Sequence, residues 1–229
     1  MKDFLLNVWR CVAVFASDVF WHLLYRPRGI GRENIPASGG VIICPNHLSN
    51  MDPMFVGYHI LQGDGRFSSR KIWSPTKEEL FNHLPLRLAL RSLRAFPVRR
   101  KQRDIRAMNH TIDLARNDVV IVYPEGTRSK DGALQPGKAG VGKIIRDSGA
   151  TVIPAAVFNT HYCLPKGARF PRFFLPLAVV FGKPVDISKY LAMPDCKETS
   201  QAIVDEVMKA IAALQKEYAH LDIRYKGGQ

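Results

Sequence analysis

The stretch VIICPNHLSNMDP, residues 41–53, passes from four consecutive apolar residues into a run that is mostly polar. A short apolar run bounded by turn-forming residues is typical of a strand buried on both faces of a sheet. Asp52 and Pro53 then precede a new apolar segment, which predicts a helix with Asp52 as its N-cap and Pro53 in its first turn. A buried strand that leads through a polar loop into a helix is the repeating unit of α/β proteins.

The rest of the chain repeats this alternation. Further strands are predicted at residues 71–73, 95–98, 119–123, 151–158 and 177–181, and further helices at residues 103–116, 140–147 and 198–218. Alternating strands and helices favour a parallel sheet, because each helix carries the chain back to begin the next strand in the same direction. The sequence therefore predicts an α/β fold with a mostly parallel sheet flanked by helices.

The N-terminal segment suggests contact with a membrane. Residues 4–25 are rich in aromatic and aliphatic side chains, but Arg10 and Asp18 interrupt them. A charge near the middle of a spanning helix costs roughly 3 kcal/mol, so a transmembrane helix is disfavoured. We expect a helix that lies in the membrane interface, with Trp21 and Tyr25 at head-group depth. The alternative is an ordinary core helix of a soluble domain.

Composition and charge limit the classes of partner. The chain has 229 residues, 46% of them hydrophobic, which supports a packed core and argues against disorder. Its 33 basic residues outnumber 20 acidic ones and give a net charge of +13. Such a charge indicates an anionic partner: nucleic acid, an acidic protein, a phosphorylated substrate or an anionic membrane. Zinc-finger, RRM-like and helix-turn-helix signatures are absent from the sequence, so no nucleic-acid partner is predicted.

The cysteines and histidines do not imply a metal. The four cysteines, Cys11, Cys44, Cys163 and Cys196, form no Cys-x-x-Cys pair and fit no zinc-site spacing. We expect reduced thiols, which suit a reducing compartment. The sequence accordingly implies no cofactor.

Two polar clusters directly follow predicted buried strands, and the first contains a histidine and an aspartate. His47 precedes Asp52 by five positions. On a continuous helix that spacing would put the two side chains about 140° apart, so they can meet only if the chain turns between them. Pro45 and the helix start at Asp52 favour such a turn. An imidazole held by a carboxylate can act as the general base for a hydroxyl group.

The second cluster is YPEGTRS, residues 123–129, which follows the predicted strand at residues 119–123. Gly126 allows a close turn of the backbone, and the Arg128 guanidinium is a forked donor that suits a phosphate. The Thr127 hydroxyl adds another donor. Ligands of open α/β sheets collect at the carboxyl ends of strands, so both clusters are candidates for one site.

NHLSNMD (residues 46–52) and YPEGTRS (residues 123–129) together resemble the signature of the glycerophosphate and lysophospholipid acyltransferase family, His-x4-Asp plus Glu-Gly-Thr-Arg-Ser. FPVRR, residues 96–100, looks like the family's second block, which ends in an arginine. VIPAA, residues 152–156, looks like the fourth block, which centres on a proline. Four blocks in this order make the chain similar to bacterial 1-acylglycerol-3-phosphate O-acyltransferases.

The resemblance implies a reaction and its residues. A fatty acyl group would move from an acyl thioester, either acyl-CoA or acyl carrier protein, to the hydroxyl of a lyso-phospholipid acceptor, with a lysophosphatidic-acid-like molecule favoured. His47 would be the base, and Asp52 would orient it. The residues implied in substrate binding are Arg100, Glu125, Gly126, Thr127, Arg128 and Pro154, of which Pro154 would shape the wall for either the acyl chain or the acceptor. The chain would comprise a membrane-associated helix at residues 1–27 and an acyltransferase domain at residues 28–229.

Basic residues concentrate around the second block. Residues 66–106 contain 12 basic and 3 acidic side chains. We expect this region to face an anionic membrane or an acidic acyl carrier, with the protein at the cytoplasmic face of the membrane. Arg99 stands where the family often has aspartate, and an extra cation there would favour a phosphomonoester acceptor. The alternatives are a different lyso-lipid acceptor and a non-catalytic lipid-binding relative, although the intact His47–Asp52 pair argues against the latter.

Overall fold

A computed structural model of the chain describes residues 15–62, 70–99, 104–165, 168 and 170–224. Within these ranges, helix α1 covers residues 15–24. The elements that follow are β1 (Arg28–Ile30), β2 (Val41–Pro45), α2 (Asp52–Gln62), β3 (Ile72–Lys77), α3 (Leu84–Ser92), β4 (Ala95–Val98), α4 (Ile105–Ala115), β5 (Val119–Ile121), α5 (Ala139–Ser148), β6 (Thr151–Phe158), α6 (Thr160–Cys163), β7 (Ala178–Phe181), α7 (Ser188–Leu191) and α8 (Lys197–Glu217).

Seven strands form one sheet in the order β1-β7-β6-β2-β5-β3-β4. Every neighbouring pair is parallel except β6 and β7. Strand β2 lies in the middle of the sheet, and its Ile43 is in register with Ile121 of β5 and Ile153 of β6. The predicted mostly parallel α/β fold is therefore confirmed, and β2 and β5 run side by side toward the sheet edge where such folds bind ligands.

Helices cover both faces of this sheet. Successive strand residues point to opposite sides, so Ile43 and Ile153 pack with α1 and α2 on one face. Ile42 and Val152 point the other way and pack with α5 and α8. Burial on both faces explains why the strands read as continuous apolar runs in the sequence.

Helix α1 packs into the core through two aromatic residues. Trp21 and Tyr25 are each only 1% exposed, and both belong to the apolar layer on the α2 side of the sheet. The expectation that these two side chains lie at head-group depth is wrong, because they cover apolar residues of the sheet instead. Phe15, Val19 and Leu23 on α1 are exposed. The helix therefore presents both a core face and an outward apolar face.

The first part of the predicted interface helix, residues 4–14, lies outside the described residues. The interface location of that helix and the division into residues 1–27 and 28–229 stay predictions. Within the described ranges, every helix is too short or too polar to cross a bilayer.

Strand β1 was not predicted from the sequence, where its residues read as part of a turn-rich segment. It has three residues, Arg28–Ile30, and pairs in parallel with β7 at the edge of the sheet. None of the three is fully buried. An edge strand of this kind is defined by backbone hydrogen bonds and leaves no apolar run in the sequence.

Candidate active site

The loop between β2 and α2 brings a histidine and an aspartate into contact. Strand β2 ends at Pro45, and the chain turns through six residues before α2 begins at Asp52. His47 Nδ1 lies 2.9 Å from Asp52 Oδ2, with His47 4% exposed and Asp52 fully buried. With Nδ1 as the protonated nitrogen, the ring donates to the carboxylate. The turn predicted from the sequence is therefore present.

The carboxylate of Asp52 has three further donors. The backbone N–H groups of Leu48 and Ser49 both donate to Oδ2 at 2.7 Å, and the Thr160 hydroxyl donates to Oδ1 at 2.5 Å. Both oxygens thus point back into the loop, away from the first amides of α2. The expectation that Asp52 caps the helix with its side chain is wrong, because the carboxylate is used to hold the loop and the histidine.

Glu125 connects the second cluster to the first. Its carboxylate accepts hydrogen bonds from the backbone N–H of His47 at 2.7 Å and of Gln135 at 3.1 Å. The backbone N–H of Ser129 donates to the carbonyl of His47 at 2.8 Å. Burial raises the pKa of Glu125 to about 7, although the two backbone donors act in the opposite direction. Both backbone polar groups of His47 are therefore bonded to the loop that follows β5.

Asn46 joins the same loop to β6. Its side-chain amide donates to the Val157 carbonyl at 3.1 Å and accepts from the Val157 N–H at 2.6 Å. The amide thus replaces a backbone peptide and extends the β2–β6 pairing beyond Pro45. Since Asn46 is buried, unpaired polar atoms here would be costly, and the residue fixes where the histidine leaves the sheet.

The imidazole of His47 stacks on Tyr123, with ring centroids 3.9 Å apart and planes 25° apart. Asp52 holds Nδ1 of this ring, and within the described part of the chain the other ring nitrogen, Nε2, has no hydrogen-bond partner. The ring is therefore fixed by a carboxylate on one edge and an aromatic face beneath it. Nε2 is the nitrogen left to take a proton from a substrate.

The loop after β5 also supplies a cation. Gly126 adopts a positive φ of 69°, a conformation that glycine tolerates better than other residues, and it is exposed together with Thr127. Arg128 is half-buried, and the described residues include no hydrogen-bond or ion-pair partner for it. A guanidinium that no described residue pairs with, on the loop that holds His47, is suited to an anionic ligand.

Other predicted binding residues are not brought to this loop by the described contacts. Pro154 lies within β6, and its ring is near Gly182 and the Leu214 side chain of α8. Arg100 lies outside the described residues. Arg99 pairs with Glu78 at 2.9 Å, in an ion pair whose side chains are 64% and 44% exposed. The preference for a phosphomonoester acceptor that was drawn from Arg99 stays a prediction.

Sequence reasoning missed two contacts of the catalytic pair. Thr160 follows Asp52 by 108 residues, and nothing in the local sequence around Thr160 marks it as a partner of that carboxylate. No role was predicted for Tyr123 of the second cluster, although its place at the end of an apolar strand could have identified it as a neighbour of His47. The fold produces both contacts by placing the ends of β5 and β6 beside the end of β2.

The chain is similar to several known proteins. The family model described as Acyltransferase matches residues 26–158. The chain is similar to the 1-acyl-sn-glycerol-3-phosphate acyltransferase of Bacillus subtilis (strain 168), with 25% identity over 83% of this chain and 88% of that protein. It is 26% identical to the chloroplastic BAT2 acyltransferase of Brassica napus, also named a 1-acyl-sn-glycerol-3-phosphate acyltransferase, over 81% of this chain. This match spans 51% of the length of the Brassica protein.

The fold is also similar to a solved structure. The crystal structure of PlsC from Thermotoga maritima, titled a 1-acyl-sn-glycerophosphate (LPA) acyltransferase, aligns with a TM-score of 0.64. The alignment covers 87% of this chain and 76% of that one, at 24% sequence identity. At that identity the likeness is one of fold, and it agrees with the α/β architecture described above.

Proposed function

The chain belongs to the acyltransferase family, and from that premise we propose that it transfers a fatty acyl group from an acyl thioester to the hydroxyl of 1-acylglycerol 3-phosphate. Curated relatives carry the name 1-acyl-sn-glycerol-3-phosphate acyltransferase. The single observation that carries the proposed mechanism is the His47–Asp52 pair, 2.9 Å apart, with the other imidazole nitrogen unbonded within the described chain.

His47 acts as the general base in this proposal. Its Nε2 removes the proton of the acceptor hydroxyl as the hydroxyl oxygen attacks the thioester carbonyl. Asp52 stabilises the imidazolium that forms, and its other three donors keep the carboxylate in place. When the tetrahedral intermediate collapses, the C–S bond breaks and the leaving thiolate takes the proton back from His47. The acyl group thus passes directly to the acceptor, without a covalent acyl-enzyme.

Arg128 binds the acceptor phosphate in this proposal. Its guanidinium has no protein partner within the described chain, and its loop is tied to His47 through Glu125 and Ser129. Gly126 and Thr127 shape the same loop. Arg100 and Pro154 remain predictions as substrate-binding residues. Either acyl-CoA or acyl carrier protein can serve as donor to a chain of net charge +13, because both are anionic.

The acceptor is a lipid, so the proposed reaction takes place at a membrane surface, on the cytoplasmic face where the donors are found. Excess positive charge favours contact with anionic head groups. This association is peripheral or monotopic in the proposal.

A panel of labelled substrates tests the proposed activity. The full chain is incubated with acyl-CoA or acyl carrier protein and with lysophosphatidic acid, lysophosphatidylcholine or glycerol 3-phosphate, and products are read by mass. We expect acylated lysophosphatidic acid as the main product. A stronger signal from lysophosphatidylcholine would contradict the proposed acceptor. Absence of transfer from every donor, by a folded protein, would contradict the enzyme assignment.

A further inference from the structure

The segment between α6 and β7 exposes three phenylalanines within five residues. Phe170 is 82% exposed, Phe173 45% and Phe174 74%. Single exposed apolar residues are ordinary, but a cluster of large aromatics on one loop indicates an interaction surface. We call residues 170–174 the aromatic loop.

The aromatic loop is anchored to the protein by its backbone. The Phe174 N–H donates to the Leu24 carbonyl of α1 at 2.7 Å, and the Arg172 N–H donates to the Cys163 carbonyl of α6 at 2.7 Å. Phe174 adopts a φ of 64°, in the left-handed region that a phenylalanine rarely occupies. Its bulky ring is thus held outward in a conformation that glycine would adopt with less strain.

The outward face of α1 continues this apolar surface. Phe15, Val19 and Leu23 recur every four residues, so they form one stripe along the helix, and they are 68%, 44% and 69% exposed. The stripe reaches the C-terminal end of α1, where the Leu24 carbonyl bonds to Phe174. The aromatic loop is therefore tied by its backbone to the end of α1 that carries Leu23.

Basic side chains flank the aromatic loop, whereas α1 also carries Asp18, which is 40% exposed. Arg26, Arg28 and Arg172 are exposed beside the loop, and residues 160–185 contain no aspartate or glutamate. Asp18, the acidic residue in the described part of α1, bonds to Tyr58 and Gln62 of α2. Aromatic side chains with an arginine rim match the interface of an anionic bilayer, where rings enter the head-group layer and guanidinium groups meet phosphates.

The aromatic loop also follows, in the chain, residues that contact the loop of the catalytic pair. It follows α6, whose Thr160 bonds to Asp52, and the Leu164 carbonyl accepts a hydrogen bond from the Ser49 hydroxyl at 3.0 Å. We propose that the aromatic loop and the outward stripe of α1 together insert into an anionic membrane, so that lipid acceptors reach His47 from the bilayer. The location at a membrane rests on the proposed function, whereas the docking surface itself does not.

Vesicle flotation of the full chain tests the surface. The double variant Phe170→Ser/Phe174→Gly should bind vesicles of phosphatidylglycerol and phosphatidylethanolamine at least tenfold more weakly than the unmodified protein. The control is Leu191→Ser/Met193→Ser, which removes two apolar residues on and beside α7 that are 49% and 44% exposed. Control binding should be unchanged. Equal vesicle binding by the two double variants would overturn the proposal.

The single variant Phe174→Gly separates docking from folding. The positive φ of residue 174 suits glycine. The variant should therefore unfold at a temperature equal to or higher than that of the unmodified protein, while its binding to vesicles falls. A lower unfolding temperature would mean that the ring stabilises the fold, and would overturn its assignment to the membrane. Loss of a dimer in size-exclusion chromatography would instead identify a second copy as the occupant, which also overturns the proposal.

Activity toward a short-chain, water-soluble lysophosphatidic acid distinguishes this proposal from the proposed function. Phe170→Ser/Phe174→Gly should retain full activity toward that acceptor and lose activity toward acceptors embedded in vesicles. If the unmodified protein bound vesicles through the aromatic loop but acylated neither acceptor, the enzyme assignment would fail while the docking surface stood. Equal activity of variant and unmodified protein on embedded acceptor would contradict delivery from the bilayer.

Discussion

The two ends of helix α2 each hold a buried histidine, and the two side chains differ in one respect. His47, just before the helix, is 4% exposed and bonded to Asp52. His59, in the last turn, is 1% exposed, and neither of its ring nitrogens has a hydrogen-bond partner within the described chain. Burial lowers the pKa of His59 to about 3, with a smaller contribution from the nearby Arg32 guanidinium. His59 is therefore a neutral ring that fills space.

Burial without a counter-charge disables a histidine as a base. The described surroundings of His59 penalise the charged ring and include no carboxylate bonded to it. At His47, the Asp52 carboxylate accepts a hydrogen bond from Nδ1 and is held in place by three other donors. The positive charge that the ring gains on protonation is therefore compensated. An adjacent carboxylate, more than burial, separates a catalytic imidazole from a structural one.

Replacing each histidine in turn should produce the strongest contrast in catalytic rate. His47→Ala should lower kcat/KM by about 10²–10⁴-fold with the fold intact, since general-base catalysis supplies that much. His59→Phe, the matched control, should keep nearly full activity. Steady-state kinetics with circular dichroism measure both. A folded His47→Ala enzyme with half the normal rate would remove the basis for the comparison.

A second difference between the two ends is the cation on the loop beside His47. Arg128→Ala should raise the acceptor KM by about 10- to 100-fold, because a charge-assisted hydrogen bond is worth about 1.5–3 kcal/mol. The exposed neighbour Lys130 provides the control, and Lys130→Ala should leave KM nearly unchanged. An unchanged acceptor KM in the Arg128 variant would exclude it from the phosphate site.

Thr160 tests whether the donors around Asp52 matter as well as the aspartate itself. Thr160→Val keeps the size of the side chain and removes one of the four donors, so kcat should fall about tenfold, or about 1.4 kcal/mol, with KM unchanged. Thr160→Ser restores the hydroxyl and should recover most of the rate. If Ser and Val variants were equally impaired, Thr160 would act through packing alone.

The smallest effect concerns His59 and the pH dependence of stability. The folded protein keeps His59 neutral down to about pH 3, whereas the unfolded chain binds a proton near the usual histidine pKa of about 6.5. Acidification therefore favours the unfolded state, by about 0.8 kcal/mol from this group at pH 6 relative to pH 8.

His59→Phe should remove that contribution. Urea unfolding at pH 8 and pH 6 measures the change in unfolding free energy for each protein, and the variant should lose less stability on acidification. The same loss in both proteins would show that His59 is solvated or paired in the folded state.

The sequence predicted the fold because its strands are buried on both faces and therefore read as apolar runs. It also predicted that His47 and Asp52 meet, since both belong to one short loop at a strand end. The residues that bond to this pair could not be predicted in the same way. Thr160 reaches Asp52 only because β6 lies next to β2 in the sheet, and no local pattern encodes that neighbour relation.

The sequence did not determine the surroundings of side chains that are equally stable in two different environments. Trp21 and Tyr25 suit a membrane interface and a protein core equally well. They lie in the core because α1 packs on an apolar face of the sheet, a contact that only the tertiary structure shows. The ion pair between Arg99 and Glu78 was not predicted, because Glu78 is 21 residues away in the sequence. Long-range pairing of this kind is set by tertiary structure.

The contact between Thr160 and Asp52 has a consequence for the timing of activity during synthesis. Histidine and aspartate leave the ribosome early, together with most of the loop that holds them. The last donor to the carboxylate arrives 108 residues later, together with the strand whose Val157 backbone holds Asn46. A nascent chain from which β6 and α6 have not yet emerged therefore carries the reactive residues without part of the scaffold that aligns them, and full activity toward a thioester donor requires that both elements have joined the sheet.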